Sequence, residues 1–114
     1  MSTHMTNLLQ TSVWARSLTD NELERVRADL VEQHFRGGSF VCHKGEAVEQ
    51  WHGIADGLVK ISNTTIEGRA TSYQGLRAGA WFGEGSLLRG GPRLYDVVAL
   101  RDTVVGCLPP RTFT

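Results

Sequence analysis

The sequence predicts an all-β sandwich or barrel entered through one amphipathic helix. Glycine supplies 13 of 114 residues against 3 prolines, and from Gly37 onward the glycines recur at short intervals. Between them lie short β-branched or aromatic runs at 39–43, 51–54, 58–62, 70–74, 95–100 and 104–108. Strands this short, separated by turns at this spacing, favour an antiparallel sandwich or barrel over a parallel α/β sheet. The interval is irregular, so the chain is not a repeat array.

The helix comes first. Leu18-Thr19-Asp20-Asn21-Glu22-Leu23 carries a capping box, in which Thr19 accepts from the backbone N–H of Glu22 and Glu22 reaches back to that of Thr19. Leu18 and Leu23 occupy the two staple positions around it. Leu23, Val26 and Leu30 continue at helical spacing with charges between them, giving one packed face and one wet face. Gly37-Gly38 is expected to close this helical segment. Residues 1–17 are expected to form a partly flexible N-terminal segment that frays over 1–10, leaving 18–114 as the domain. Asp56-Gly57, set between two apolar runs, predicts a two-residue hairpin.

Composition narrows the function. Twelve Lys and Arg balance twelve Asp and Glu for a net charge of +0. A module that binds nucleic acid alone usually carries a basic surplus, so none of that role is expected here. The apolar runs are far too short to span a bilayer, and the N-terminus has no secretory pattern. Two cysteines, Cys42 and Cys107, suit a reducing cytoplasm and are expected to be small buried hydrophobes. His34, His43 and His52 recur every nine residues, but metal-binding pairs on a helix sit three or four apart, so no metal site is expected. No nucleophile–base pair is legible, and no catalytic residue is assigned. Trp51 and Trp81 are expected as core or rim anchors, and Trp14 as packing for the N-terminal segment, rather than as a stacking platform for a base.

The stretch beginning at Gly79 and ending at Arg93, GAWFGEGSLLRGGPR, carries the chemistry. Gly83 and Gly85 allow successive backbone N–H groups to converge on one point, a nest for an anion. A short helical turn over 86–89 would add its N-terminal dipole. Pro92 stiffens the approach to Arg93, whose planar guanidinium matches a phosphate in bidentate fashion. A carboxylate at Glu84 cannot hold a phosphate, but it can accept from sugar hydroxyls. Together these residues predict a pocket for a phosphorylated sugar or nucleotide.

FGEGSLLRGGPR resembles the phosphate-binding cassette of cyclic nucleotide-binding domains, in which FGE is followed after seven residues by PR and a small residue. The resemblance runs from about Leu18 to Phe113. It includes Gly45-Glu46, the run IADGLVKI over 54–61, Glu67-Gly68-Arg69, and Val97-Val98-Ala99-Leu100. In wording it is most similar to bacterial transcription regulators of the CRP/FNR type. The resemblance implies an eight-stranded jelly roll, or double-stranded β-helix, with an N-terminal helix and a short helix in the cassette. It implies that Glu84 accepts from the ribose 2′-hydroxyl and that Arg93 pairs with the cyclic phosphate. Backbone N–H groups around Gly83, Gly85, Ser86 and Leu94 complete that anion site. The implied effector is cyclic AMP or cyclic GMP, with no required cofactor and no enzymatic activity.

Two features depart from the family pattern. Leu94 stands where Ala, Ser or Thr is usual, keeping the backbone donor while adding bulk beside the phosphate. The chain also ends at Thr114, where such regulators continue into a long dimerisation helix and a helix-turn-helix domain. The expectation is therefore the sensor domain of a longer homodimeric regulator, which meets DNA only through that further domain. The alternative is a ligand-free interaction module in which Leu94 fills the former pocket.

Overall fold

The computed structural model describes residues 2–47, 50–64, 71–83, 93, 95–109 and 112. Helix α1 (Thr3–Thr11) leads through a 3₁₀ segment, Val13–Ser17, to helix α2 (Asp20–Asp29). Eight strands follow among the described residues: β1 (Val31–Phe35), β2 (Phe40–Cys42), β3 (Trp51–Asp56), β4 (Leu58–Thr64), β5 (Thr71–Arg77), β6 (Trp81–Phe82), β7 (Asp96–Ala99) and β8 (Thr103–Leu108). They form two antiparallel four-stranded sheets, ordered β1-β8-β3-β6 and β2-β7-β4-β5. This is the mainly β jelly roll the sequence led to. The short helix expected in the cassette lies outside the described residues, as does the Glu67-Gly68-Arg69 turn.

The cap of α2 forms as the sequence dictates. Glu22 N–H donates to Thr19 Oγ1 at 3.2 Å, and Thr19 N–H donates to Glu22 Oε1 at 2.8 Å. The bond from the Thr19 backbone N–H to the carboxylate, helped by the Thr19 hydroxyl, holds the Glu22 carboxyl below its usual range. The helix then stops at Asp29, well before Gly37-Gly38. Val31–Phe35 turns into β1, paired with β8 from Val31↔Cys107 to Phe35↔Thr103. The expected helical continuation is thus corrected, and His34 lies on a strand. Leu30 packs against Met5 and Leu8 of α1, and the next five residues run on as the edge strand of the first sheet, held by their ladder to β8.

The N-terminus is also corrected. Residues 1–10 were expected to fray, yet α1 is capped by Ser2, whose Oγ accepts from Met5 N–H. Met5, Leu8 and Leu9 are buried. The reason lies in β8, all six residues of which are buried. Val105 and Cys107 face the second sheet, whereas Val104, Gly106 and Leu108 face outward and require a cover. Leu8 and Met5 supply it, packing against Val104. Leu8 Cδ2 lies only 2.7 Å from the position a Cβ would take on Gly106, so the missing side chain is what lets α1 sit down on the strand.

Asp56-Gly57 does not close a hairpin. β3 belongs to the first sheet and β4 to the second, so the pair turns a corner between layers. Gly57 adopts φ +116°, but Asp56 does not share the positive φ a type I′ turn needs at both residues. A Cβ on Gly57 would stand 2.4 Å from Thr103 Oγ1, which fixes how tightly the corner folds over β8. The actual hairpin is β4–β5, with seven register pairs from Leu58↔Arg77 to Thr64↔Thr71.

Between the sheets, Cys42, Ile54, Val59, Phe82 and Val97 form one core cluster. On the outer face of the first sheet the three tryptophans meet, with ring centroids 4.5 Å apart for Trp51–Trp81, 5.1 Å for Trp14–Trp51 and 5.2 Å for Trp14–Trp81. Trp81 Nε1 donates to Ser12 Oγ at 2.7 Å, tying the α1 exit to β6. The tryptophans are anchors, as their placement in the sequence suggested.

Leu8→Ala should leave a cavity between α1 and β8 and lower unfolding free energy by about 3 kcal/mol in urea titration. A change within 0.5 kcal/mol, the size typical of exposed substitutions, would show that α1 contributes little to the roll.

Candidate anion-binding site

Strand alternation decides what points into the roll. On β3, Trp51 and Gly53 face the outer layer, whereas His52 and Ile54 face inward, opposite Cys107 and Val105 on β8. His52 therefore enters the interior beside Phe82. Their rings stack with centroids 5.1 Å apart and an interplanar angle of 8°.

Arg93 enters the same space from the end of the cassette. Its backbone is clamped on both sides: Arg93 N–H donates to Glu46 O at 2.8 Å, and Gly45 N–H donates to Arg93 O at 2.8 Å. The turn that receives it is braced in turn. Glu46 Oε1 accepts from His43 N–H, and Asp96 Oδ1 accepts from Lys44 N–H at 2.7 Å. Gly45-Glu46, picked out in the sequence as a turn, is thus the seat of the arginine backbone.

The arginine side chain is only 4% exposed. Nη2 donates to Gln50 O at 3.2 Å and meets His52 Nδ1 at 3.3 Å. Nη1 is buried and has no hydrogen-bond partner among the described residues. No carboxylate among those residues pairs with the guanidinium. Gly83 lies against it with φ +95°, and a Cβ there would stand 3.2 Å from Nη1, so glycine is needed both for the turn and for the approach. Tyr95 is near enough to feel the arginine: burial pushes its phenol up, and the Arg93 charge and a hydrogen bond from the Gly83 backbone pull the other way.

A cavity of about 150 Å³ opens on these groups, with Gln33, Cys42, Glu46, Gln50, His52 and Arg93 in its wall. Burial, reinforced by the arginine charge, pushes His52 down to about 4, so the imidazole is neutral at pH 7. Burial likewise raises Cys42 to about 11 and Cys107 to about 12, keeping both as thiols, and Cys107 Sγ donates to Gln33 Oε1 at 3.4 Å. The cysteines are the buried small residues the sequence suggested. A buried guanidinium whose hydrogen-bond partners among the described residues are a carbonyl and a neutral imidazole is costly unless an anion joins it.

Of the sequence-assigned residues, Gly83 and Arg93 come together here. Glu84, Gly85, Ser86 and Leu94 lie outside the described residues. His52 and Gln50 were not assigned to this site from the sequence. The signal for His52 was the alternation of Trp51-His52-Gly53-Ile54, which puts it on the face of Ile54. Among the described residues no three His, Cys, Asp or Glu side chains gather as a metal site, and no helix is long and apolar enough to cross a membrane.

Two antiparallel four-stranded sheets with a buried arginine beside Gly83 place the chain in the class of jelly-roll domains. The family model of the cyclic nucleotide-binding domain matches residues 32–114, and the chain belongs to that family. None of the curated proteins matches it. Solved structures with the same fold include the regulatory domain of Toxoplasma gondii protein kinase A crystallised with cAMP, with TM-score 0.86 and 21% identity over 96% of this chain and 43% of that one. The regulatory subunit of a cAMP-independent protein kinase A from Trypanosoma cruzi, bound to guanosine, has TM-score 0.84 and 22% identity over 99% and 42%. The Thermus thermophilus catabolite activator protein has TM-score 0.74 and 24% identity over 85% and 46%. The chain spans about half the length of the first of the solved structures it matches.

His52 makes stability depend on pH. Its folded value lies near 4 against an ordinary 6.5, so between these limits the unfolded chain binds a proton that the folded chain refuses. Its contribution is complete above pH 6.5 and is lost on acidification towards pH 4, with a limiting slope of about 1.4 kcal/mol per pH unit. Urea unfolding of wild type and His52→Asn at pH 7 and pH 5 should show the smaller acid loss in the variant. Equal losses would contradict a neutral buried imidazole.

Proposed function

We propose that this chain is the ligand-sensing domain of a catabolite-activator-type transcription regulator and takes a cyclic nucleotide, cyclic AMP or cyclic GMP, or a related phosphorylated small molecule. The observation that carries this reading is the buried Arg93 guanidinium, which has a carbonyl and a neutral imidazole for neighbours and no carboxylate partner among the described residues. Membership in the cyclic nucleotide-binding domain family supports the same reading. Arg93 holds the phosphate with Nη1 and the edge beside Gly83. Backbone donors of Gly83, Gly85, Ser86 and Leu94 complete the anion cradle, and Glu84 accepts from the ribose hydroxyl.

The role is regulatory and not enzymatic, with the effector as ligand and no cofactor required. Ligand at Arg93 shifts the population of a neighbouring element, the short Leu87-Leu88 stretch and a following helix, and so alters the arrangement of a homodimer. DNA contact belongs to a further domain, and the setting is the cytoplasm, away from membranes.

Calorimetric titration with cyclic AMP and cyclic GMP tests the proposal. Wild type should bind at least one of them. Arg93→Ala should weaken that binding on the order of 100-fold, the loss of two charge-assisted hydrogen bonds, while circular dichroism stays unchanged. Unchanged affinity in Arg93→Ala would overturn the assignment of that residue. Silence of wild type towards both nucleotides, with affinity gained in Leu94→Ala, would replace the sensor by a ligand-free module filled by Leu94.

A further inference from the structure

We propose that His52 is the positioning residue of the anion site: its neutral ring fixes the rotation of the Arg93 guanidinium and so presents Nη1 to the Gly83 turn. The inference rests on Arg93 being the ligand-binding cation, but it concerns what holds that cation in place.

A guanidinium is a rigid planar fork, and two fixed acceptors on one nitrogen define its plane. Here both lie on β3 or its approach. Gln50 O and His52 Nδ1 meet Nη2 at 3.2 and 3.3 Å. Gln50 O is a main-chain carbonyl, unchanged by most substitutions, so the adjustable half of the pair is His52. The imidazole is itself packed in place, 5% exposed, stacked flat on Phe82 and placed opposite Cys107 across the ladder. With Nδ1 accepting, the ring proton must reside on Nε2. The opposite nitrogen of the fork, Nη1, is thereby turned to within 3.2 Å of where a Gly83 Cβ would stand.

The arrangement requires that the imidazole stay neutral. Among the described residues, the titratable groups around it and its arginine are Arg93 itself, Cys107 on β8, Cys42 on β2 and Glu46 on the turn after β2, with Tyr95 ahead of β7 near the arginine. The arginine charge disfavours a second cation beside it, and the two thiols remain uncharged through the physiological range. A protonated His52 would lose its acceptor and repel the guanidinium it holds.

Two substitutions separate positioning from mere packing. His52→Asn keeps an acceptor near the place of Nδ1 and discards the ring, whereas His52→Phe keeps the ring stacked on Phe82 and discards the acceptor. In calorimetric titration with cyclic AMP and cyclic GMP, His52→Asn should stay within about threefold of wild type and His52→Phe should weaken binding about tenfold or more, the worth of one hydrogen bond to a charged group. The reverse order would mean that the ring acts by packing and would overturn the inference. A ligand-free cycle keeps the question open to decision if wild type binds neither nucleotide. In urea unfolding, His52→Phe should lower the folding equilibrium constant about tenfold in wild type and leave it nearly unchanged in Arg93→Met, a coupling expected of directly bonded partners. Strict additivity of the two substitutions would overturn the positioning role. Coupling without nucleotide binding would uphold it while removing the cyclic nucleotide reading.

Discussion

The organising constraint in this domain is the burial of one arginine. A guanidinium taken out of water costs several kcal/mol even after relaxation, and the fold must hold it there before any ligand arrives. It does so mainly through the backbone. The reciprocal bonds between Arg93 and Gly45-Glu46 fix where the side chain enters, and the carboxylates of Glu46 and Asp96 stiffen the receiving turn. Gln50 and His52 then occupy one nitrogen of the fork. Gly83 leaves the other nitrogen facing a turn without a side chain.

That arrangement needs a sheet whose two faces are both dry. β3 and β8 are buried on each side, by the second sheet within and by α1 and the tryptophan cluster without. Because the outer side is sealed, residues of opposite chemistry can alternate along one strand. Trp51 and Gly53 serve the helical layer, and His52 and Ile54 serve the interior. The N-terminal helix is therefore part of what keeps the site side of β3 in register.

Much of this was legible in the sequence, for identifiable reasons. The six apolar runs became strands, each extended or trimmed by a few residues at its ends, because period and turn residues are local signals. The α2 cap was legible because its two hydrogen bonds lie within four residues. β1 was hidden, since Val31–Phe35 carries Glu32, Gln33 and His34 and continues a helical pattern until β8 claims it. The two-residue β6 is too short to announce itself. Asp56-Gly57 signals a turn correctly, but whether a turn joins partners or layers depends on strands far away in sequence. In the site, the glycine–arginine spacing pointed to Gly83 and Arg93. His52 was obscured because its role exists only once β3 is seen to bring it against Arg93. The N-terminal helix was missed because its partner, the outer face of β8, is nearly a hundred residues distant.

The central claim is that Arg93 is a preplaced cation waiting for an anion. The most direct measurement is proton–nitrogen NMR of the arginine side chains during titration with cyclic AMP. The account predicts that the Arg93 guanidinium resonances move saturably with nucleotide while those of the exposed Arg36 remain in place. Resonances of Arg93 that stay fixed as other signals saturate would contradict it, because the nucleotide would then be held somewhere the buried guanidinium does not reach.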